Sequence, residues 1–522
     1  PGLGEIALIC ICGGALGVFF MIPLRSALIV QEHGVLPYPE GTACAEVLLA
    51  GEKGGAKAGT VFAGLGIAAV YKFIADGLRV FPSEVDFEVK SYKGAGIGMD
   101  VLPALLGVGY ICGVRVASYL LAGGVTAWFV IMPVIALFGE DAVLYPATVP
   151  ISELGAWGIW SNYIRYIGAG AVAAGGIFSL IKALPLIIRT FAQAVRGYGK
   201  NMEEESRTSQ DIPIRVVLVG ILITAIVMWL IPVIPVNLPG AILIVVLGFF
   251  FATVSSRMVG LVGSSNNPVS GMAIATLIIT AAIYKSSGAT AEGMVSSIAV
   301  GTIICIIAAM AGDTSQDLKT GYIVGATPKK QQYGELISVV VSSMAIGGIL
   351  YLLNAAWGYG SSELPAPQAT LMKMVVEGVM GGNLPWNLVF AGVALAVAAE
   401  ILTIPVLPFA VGLYLPIHLS TPMAVGGLVR LWIEKKRGEE EENQKQMIES
   451  GILYSSGLIA GEGLIGILLA VFAVLPSKRG GTVGEWLAAA GDRMNFGNIG
   501  ALIMFVVLIG TLILSIQKGK EK

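Results

Sequence analysis

A chain of 522 residues with 56% hydrophobic and only 13% charged side chains is too apolar for a water-soluble protein of this length. Its mean hydropathy of +0.82 and its 69 glycines are typical of membrane proteins, whose helices pack closely through small residues. The formal net charge of −2 indicates no particular partner, and the chain contains no basic tract that would predict nucleic-acid binding. The five cysteines lie in apolar or glycine-rich segments, so the sequence predicts neither a disulfide framework nor a metal site.

Apolar runs near the roughly 20 residues that cross a bilayer predict an all-α polytopic membrane protein. About 13 spans are expected, with up to four half-length pieces that indicate re-entrant or broken helices. The predicted spans are 4–24, 58–78, 99–118, 119–138, 163–188, 213–234, 239–256, 270–284, 293–311, 335–354, 387–404, 450–475 and 497–516. The half-length pieces are 36–50, 313–327, 406–418 and 420–433.

The distribution of loop charge predicts the orientation. Lysine and arginine concentrate in 182–215, 319–330 and 430–445 and at the C-terminal end, whereas the loop 139–153 carries neither residue. Cytoplasmic loops of membrane proteins are enriched in these two residues. We therefore expect a multi-pass protein of the plasma (inner) membrane with a cytoplasmic C-terminus.

A faint internal duplication predicts a two-fold repeat. Val108-Gly109 and Gly123-Gly124 recur as Val411-Gly412 and Gly426-Gly427, at an offset of 303 (411 − 108). Ala50 and Lys53 recur as Ala326 and Lys329, at an offset of 276 (326 − 50). In this interpretation 36–57 corresponds to 312–333.

The predicted organisation follows from the repeat and the charges. The chain opens in apolar sequence at Pro1 without an initiator Met, so the N-terminus is expected to be missing from the first repeat. The predicted parts are a first repeat with following helices (1–188), a cytoplasmic linker (189–212), a second repeat (213–433), a charged cytoplasmic loop (434–449) and C-terminal helices (450–522).

The first candidate site is Gln31 to Glu46, where two prolines precede Glu40 and a small-residue segment ends on Glu46. The segment is too short to span a bilayer, and irregular backbone at membrane depth occurs where it is buried in protein or lines a cavity. It is predicted to be a re-entrant or broken element. The alternative is an ordinary cytoplasmic turn.

The second candidate site is Gly263 to Met272, which interrupts an apolar region with Ser265, Asn266, Asn267 and a proline. Such a sequence favours a discontinuous helix that presents amides and hydroxyls at a solute site. A plain Asn-Pro turn at the surface is the alternative.

The third candidate site is Ala311 to Pro328, where an apolar run ends in Asp313, Asp317 and Lys319. The aspartates are four residues apart and share a face if the segment is helical. Two neighbouring carboxylates suit a proton carrier. Alternatively, Lys319 neutralises one of them in a structural charge cluster.

The fourth candidate site is Glu400 to Pro422, in which Glu400 lies within an apolar span and four prolines break the chain after it. Tyr414 and His418 follow four residues apart, and His418 is expected to be a packed polar residue. The chain lacks a Walker loop, a zinc-protease motif and a nucleophile elbow. Neither an enzyme nor a direct user of ATP is therefore predicted, and no cofactor is expected.

These segments together resemble the oligopeptide transporter family, in its prokaryotic branch. The resemblance rests on IPLRSALIVQEHGVLPYPEGTACAEVLLAGEKGG (22–55), LLGVGYICG (105–113), GSSNNPVSGM (263–272), GDTSQDLKTGYIVGATPKKQQ (312–332) and LPFAVGLYLP (407–416). It implies a helical secondary transporter driven by the proton gradient. It also implies that the solutes are peptides or, in the yellow-stripe-like branch, metal–chelate complexes.

The sequence thus predicts a proton-coupled symporter for oligopeptides or peptide-like solutes, including metal-chelating ones. Arg25 and Lys319 are candidates to pair with a substrate carboxylate or with the acids. The carboxylates are candidates for proton coupling or for contact with a substrate amine, and Ser265, Asn266 and Asn267 for holding substrate carbonyls or carboxylate. A passive channel or facilitator on the same scaffold is the alternative function. The expected partners are the solute, protons and the lipid bilayer.

Overall fold

The computed structural model describes most of the chain, with short gaps. The described residues are 2–38, 40–42, 44–45, 48–49, 56–88, 92–172, 174–175, 178, 181, 206–264, 267, 269–288, 291–359, 364, 366–381, 385–435, 441–477, 481–491 and 495–519.

The protein is all-α apart from one small hairpin. Its helices are α1 (Leu3–Met21), α2 (Ala56–Lys72), α3 (Pro103–Val125), α4 (Met132–Gly139), α5 (Ile151–Ile159), α6 (Ile214–Leu230), α7 (Leu238–Val262), α8 (Val269–Ser286), α9 (Ala291–Val324), α10 (Pro328–Ala356), α11 (Pro367–Gly381), α12 (Trp386–Ile401), α13 (Val406–Tyr414), α14 (Ile417–Glu434), α15 (Glu441–Val474), α16 (Val483–Gly491) and α17 (Gly497–Lys518). The strands β1 (Glu84–Glu88) and β2 (Gly96–Asp100) pair antiparallel, with Glu84 opposite Asp100.

Nine helical segments in the described part of the chain are long and apolar enough to cross a membrane, which confirms the predicted all-α polytopic class. The predicted spans 99–118 and 119–138 are one helical run, Pro103–Gly139. That run continues through a π-helical turn at Thr126–Ile131, and Gly113, at φ 76°, is a local break within it. The predicted span 163–188 is described from 163 to 172, and most of its later residues lie outside the described part of the chain.

The prediction that 313–327 is a separate half-length element is wrong, because α9 continues without interruption to Val324. At about 1.5 Å per residue, its 34 residues extend about 50 Å, well beyond the roughly 30 Å core of a bilayer. The helix continues because its polar side chains are bonded within the protein. Gln316, Lys319 and Thr320 are all buried and hydrogen-bonded.

The chain forms two compact units. The first comprises Pro1–Leu49, Ala173–Tyr351 and Ala366–Leu384, and the second comprises Ala50–Val172, Leu352–Pro365 and Pro385–Lys522. In the first unit, apolar residues of α1, α7 and α9 such as Leu16, Ile244 and Ile304 form the core. In the second, residues of α3, α15 and α17 such as Tyr110, Leu458 and Phe505 do so. The predicted domain boundaries divide the chain by repeat rather than by contact, and they stay a prediction.

Within the second unit, the glycines of the predicted duplication contact one another in pairs. A Cβ atom on Gly426 would lie 3.0 Å from the carbonyl carbon of Gly109, and one on Gly123 would lie 2.9 Å from that of Gly412. Adding 303 to Gly109 gives Gly412, and subtracting 303 from Gly426 gives Gly123, so the two contacts are equivalent in the predicted repeat. An exchange of this kind is what a two-fold repeat predicts, and it supports the interpretation of 108–124 and 411–427 as related segments.

Candidate functional site

Three segments of the first unit meet in a polar cluster formed by Glu40, Gly41, Ser264, Gln316 and Thr320. The backbone N–H of Ser264 donates to Glu40 Oε1 over 2.8 Å, and the side-chain amide of Gln316 donates to Glu40 Oε2. Gln316 Oε1 accepts the N–H of Gly41 over 2.6 Å, and the hydroxyl of Thr320 donates to the Gly41 carbonyl over 2.8 Å. Glu40 thus joins the helical turn at 40–42 to the α7–α8 break and to α9.

The predicted break at 263–272 lies between α7 and α8. Helix α7 ends at Val262 because Gly263 adopts φ +83°, a left-handed conformation that side chains disfavour. The side-chain amide of Asn267 donates to Ser255 Oγ over 2.6 Å, whereas its buried Oδ1 has no hydrogen-bond partner. Ser265 and Asn266, like Glu46, lie outside the described residues.

Lys319 holds the turn that precedes Glu40. Its side chain is 1% exposed, and Nζ donates to the carbonyl of Leu36 over 3.0 Å and contacts His33 Nδ1 at 2.8 Å. Nζ also lies 5.4 Å from the centre of the Tyr38 ring. The expectation that Lys319 neutralises Asp313 or Asp317 is wrong, because its contacts are with 33–38.

Arg25 is fully engaged by a different acid from those expected. Its guanidinium donates to both carboxylate oxygens of Asp211, over 2.6 and 2.8 Å. The side-chain amide of Gln332 also donates to Asp211, over 2.6 Å. Arg25 is 4% exposed, so a largely buried bidentate pair fixes Asp211 to the segment that follows α1, and Gln332 joins it to α10. This arrangement gives Arg25 a structural role and leaves it poorly placed to bind a substrate carboxylate.

Asp313 and Asp317 lie on α9 with exposed side chains, but the acid beside Asp317 is Glu335 on α10. The side-chain amide of Gln331 donates to Asp317 Oδ2 over 3.1 Å. The carboxyl oxygens of Glu335 are buried and receive no donor from the described residues. Sequence reasoning missed Glu335. The available signal was Pro328 at the start of α10, because a helix beginning there places Gln331 and Glu335 on one face.

Several buried polar atoms of the first unit have no hydrogen-bond partner among the described residues. They include the side-chain oxygens of Asn267 and Gln331, the hydroxyl of Thr314 and the carboxyl oxygens of Glu335. Buried polar groups are nearly always satisfied by protein or by water. Water or a polar solute would supply the missing partners.

Glu400 and Tyr414 belong to the second unit and are not part of this cluster. Glu400 lies near the end of α12. Tyr414 is 2% exposed, and its hydroxyl lies beside Arg165. His418, predicted to be a packed polar residue, is buried against Trp157 and hydrogen-bonded to Asp86. The described residues contain no group of three or more His, Cys, Asp or Glu residues that could hold a metal ion.

Comparison with known proteins decides the family. The family model described as OPT oligopeptide transporter protein matches residues 1–473. The chain belongs to the oligopeptide transporter family.

Relatives of this family member come from bacteria and plants. A protein of Haemophilus influenzae named as an oligopeptide transporter is 31% identical, over 92% of this chain and 85% of the relative. The probable metal-nicotianamine transporter YSL11 of Oryza sativa is 24% identical, over 91% and 72% of the two chains. The metal-nicotianamine transporter YSL3 of Arabidopsis thaliana is 25% identical, over 89% and 73%. Family membership and the apolar helices make the protein a multi-pass membrane transporter, not an enzyme.

Proposed function

We propose that this member of the oligopeptide transporter family is a proton-coupled symporter for short peptides or peptide-like, metal-chelating solutes. The names of its relatives, an oligopeptide transporter and metal-nicotianamine transporters, support the solute class. The distribution of basic loops supports a plasma-membrane protein with a cytoplasmic C-terminus.

The carboxyl pair Asp317–Glu335 carries the proposal for proton coupling. The two groups come from different helices, and Gln331 is the hydrogen-bond donor that reaches Asp317. No lysine or arginine forms an ion pair with either carboxylate in the part of the chain that the structure describes. Two carboxylates in contact repel unless a proton lies between them. A proton that enters or leaves this pair therefore changes the attraction between α9 and α10.

The polar cluster around Glu40 is the proposed solute contact in the first unit. One of its three segments is the α7–α8 break, where Asn267 Oδ1 is a buried acceptor without a partner among the described residues. Acceptors of this kind suit the N–H groups and ammonium group of a peptide. Ser265, Asn266 and Glu46 stay candidates for the same cluster, as do Glu400 and Tyr414 for the second unit. Transport would proceed by movement of one repeat against the other.

Uptake by proteoliposomes tests the coupling. Wild-type protein should accumulate tritiated trialanine when the lumen is alkaline relative to the bath, and a protonophore should abolish accumulation. Asp317→Asn and Glu335→Gln should each lower gradient-driven accumulation at least tenfold, because the pair then loses its titratable contact. Glu377→Gln is the matched control, since Glu377 and its partner Lys373 are both exposed, with side chains 54% and 67% accessible.

Two outcomes contradict the proposal in different ways. Equal uptake with and without the gradient would make the protein a passive facilitator. Full accumulation by both carboxyl variants would keep the symporter but exclude Asp317–Glu335 as its proton site.

A further inference from the structure

The second unit contains a cavity of about 1210 Å³ that the sequence did not predict. Its walls come from the end of α2, from the start of β1, and from α15 and α16. A π-helical turn at Phe73–Gly77 forms part of the wall, and such turns are frequent at functional sites. The lining combines charged side chains with small residues, so the cavity suits a polar solute of peptide size.

Two of the charged side chains that line the cavity already have partners within the protein. Lys72 Nζ lies 2.5 Å from Asp76 Oδ2 and 3.7 Å from Glu462 Oε1, so its charge is neutralised within the protein. Glu485 Oε2 accepts the N–H of Thr482 over 2.9 Å and caps the start of α16. Neither Lys72 nor Glu485 is therefore well placed to bind a charged group of a ligand.

Arg79 differs from Lys72, because its guanidinium forms no hydrogen bond or ion pair with any described residue. It lines the cavity with an exposed side chain, on a backbone with φ +54°. Residues other than glycine seldom adopt this conformation, and it occurs preferentially at functional sites. A guanidinium that lacks a protein partner presents the donor fork that binds carboxylates in bidentate fashion.

Glu84 supplies the opposite charge on the same cavity. It forms no ion pair with a lysine or arginine among the described residues and lies opposite Asp100 in the hairpin. Desolvation raises the pKa of Glu84, His418 opposes the rise, and the carboxylates of Asp86 and Asp76 add to it. A positively charged group would relieve this repulsion, so the site favours an ammonium.

The cavity is open beside α15. A Cβ atom added to Gly463 or Gly466 would meet no atom within 4 Å, and both glycines line the cavity. Space beside α15 is therefore available for a ligand backbone or side chain. A larger side chain at either glycine would occupy part of this space without a clash at α15.

We propose that this cavity is a binding site for short zwitterionic peptides, with Arg79 binding the terminal carboxylate and Glu84 the terminal ammonium. The proposal rests on the proposed function for its solute class. It concerns binding alone, and its residues are separate from the carboxyl pair Asp317–Glu335. Arg79 and Glu84 would thus each bind one charged end of the solute.

Equilibrium binding of tritiated trialanine to the purified full chain, without a proton gradient, tests the site. Arg79→Gln should weaken the Kd at least tenfold for trialanine but leave the weak binding of trialanine amide unchanged, because the amide lacks the carboxylate. Glu84→Gln should weaken binding of trialanine but not of N-acetyl-trialanine. Gly466→Leu should weaken binding of trialanine, because the leucine occupies part of the open space beside α15.

Matched controls separate binding from folding. Arg115→Gln removes another exposed arginine of the second unit, and Gly510→Leu adds the same side chain at another open glycine. Both should bind trialanine as the wild type does, and all variants should elute as the wild type on size exclusion. Absence of saturable binding to the wild type, or unchanged binding in Arg79→Gln and Gly466→Leu, would overturn the site. Gradient-driven uptake that persists in those variants would overturn the site while sparing the symporter.

Discussion

At the scale of single residues, hydrogen bonds or an ion pair compensate two buried cations of the first unit. Lys319 is 1% exposed and donates to the Leu36 carbonyl, and Arg25 is 4% exposed and paired with Asp211. Removing one partner of such a pair leaves an uncompensated charge and typically costs about 3–5 kcal/mol. These two cations therefore act as fixed points of the first unit, which leaves the less constrained carboxyl groups for proton chemistry.

Asp100 of the second unit is a buried carboxyl group whose ionisation can be tested. Burial raises its pKa from 3.8 to about 7, the carboxylates of Glu84, Asp86 and Glu462 add to the rise, and Lys72 opposes it. The folded protein thus keeps a proton that the unfolded chain releases near pH 4. Stability should fall as the pH rises from about 4 to about 7 and stay reduced above that range.

Asp100→Asn removes this penalty. The variant should melt at a higher temperature than the wild type at pH 8 and at nearly the same temperature at pH 4, as followed by tryptophan fluorescence in detergent. The difference at pH 8 has an upper bound of roughly 4 kcal/mol. Asp141→Asn, in an exposed loop of the same unit, should follow the wild type at both values. A melting temperature of Asp100→Asn that tracks the wild type across the range would show that Asp100 ionises normally.

At the scale of elements, the break between α7 and α8 leaves little space for a side chain at Gly263. Gly263 has φ +83°, and a Cβ atom added to it would lie 2.5 Å from Glu40 Oε1. Gly263→Ala should therefore strain the backbone and displace Glu40 from Ser264, at a cost of about 1–3 kcal/mol. We expect a lower melting temperature and slower uptake of trialanine.

Gly334→Ala is the control for this prediction. Gly334 lies within α10, and an added Cβ atom would meet nothing within 4 Å. Alanine is the better helix former, so this variant should be as stable as the wild type or slightly more so. Equal stability of the two alanine variants would mean that the α7–α8 break tolerates a side chain.

Sequence reasoning located this break but missed the continuation of α9. Serines, asparagines and a proline follow one another at 264–268, and such a local signal is visible in the sequence. The charged residues after Ala311 are also a local signal, and they led to the wrong prediction that the helix ends there. Gln316, Lys319 and Thr320 are instead satisfied by residues more than 270 positions away. The position of Glu335 beside Asp317 also depends on tertiary packing, which no spacing rule along the chain supplies.

At the scale of the whole molecule, the C-terminal helix extends the protein beyond the family match, which ends at residue 473. Helix α17 is nevertheless part of the second unit's core, where Phe505, Leu508 and Leu512 are at most 3% exposed. The hydroxyl of Tyr454 on α15 donates to Thr511 Oγ1 over 2.9 Å. The helix is therefore an integral part of the packing of that unit.

A stop codon in place of Gly497 should destabilise the second unit, because truncating a core leucine or phenylalanine typically costs about 2–5 kcal/mol per residue. We expect loss of the monodisperse peak in size exclusion of the detergent-solubilised protein. A stop codon in place of Lys520 leaves α17 intact and is the control. A monodisperse protein that still binds trialanine without α17 would contradict the assigned role of this helix.

The hydrogen bond between Gln316 and Glu40 has a consequence for the ancestry of the chain. The two residues are 276 positions apart, the same offset that relates 36–57 to 312–333, so in the predicted repeat they are equivalent residues in contact. Equivalent residues that touch lie on the axis of the repeat, where a freshly duplicated gene places two identical side chains together. Two glutamates there would repel each other, whereas one glutamate and one glutamine share a hydrogen bond. In the predicted repeat, a difference between the two halves at this position is therefore what allows the contact to be a hydrogen bond.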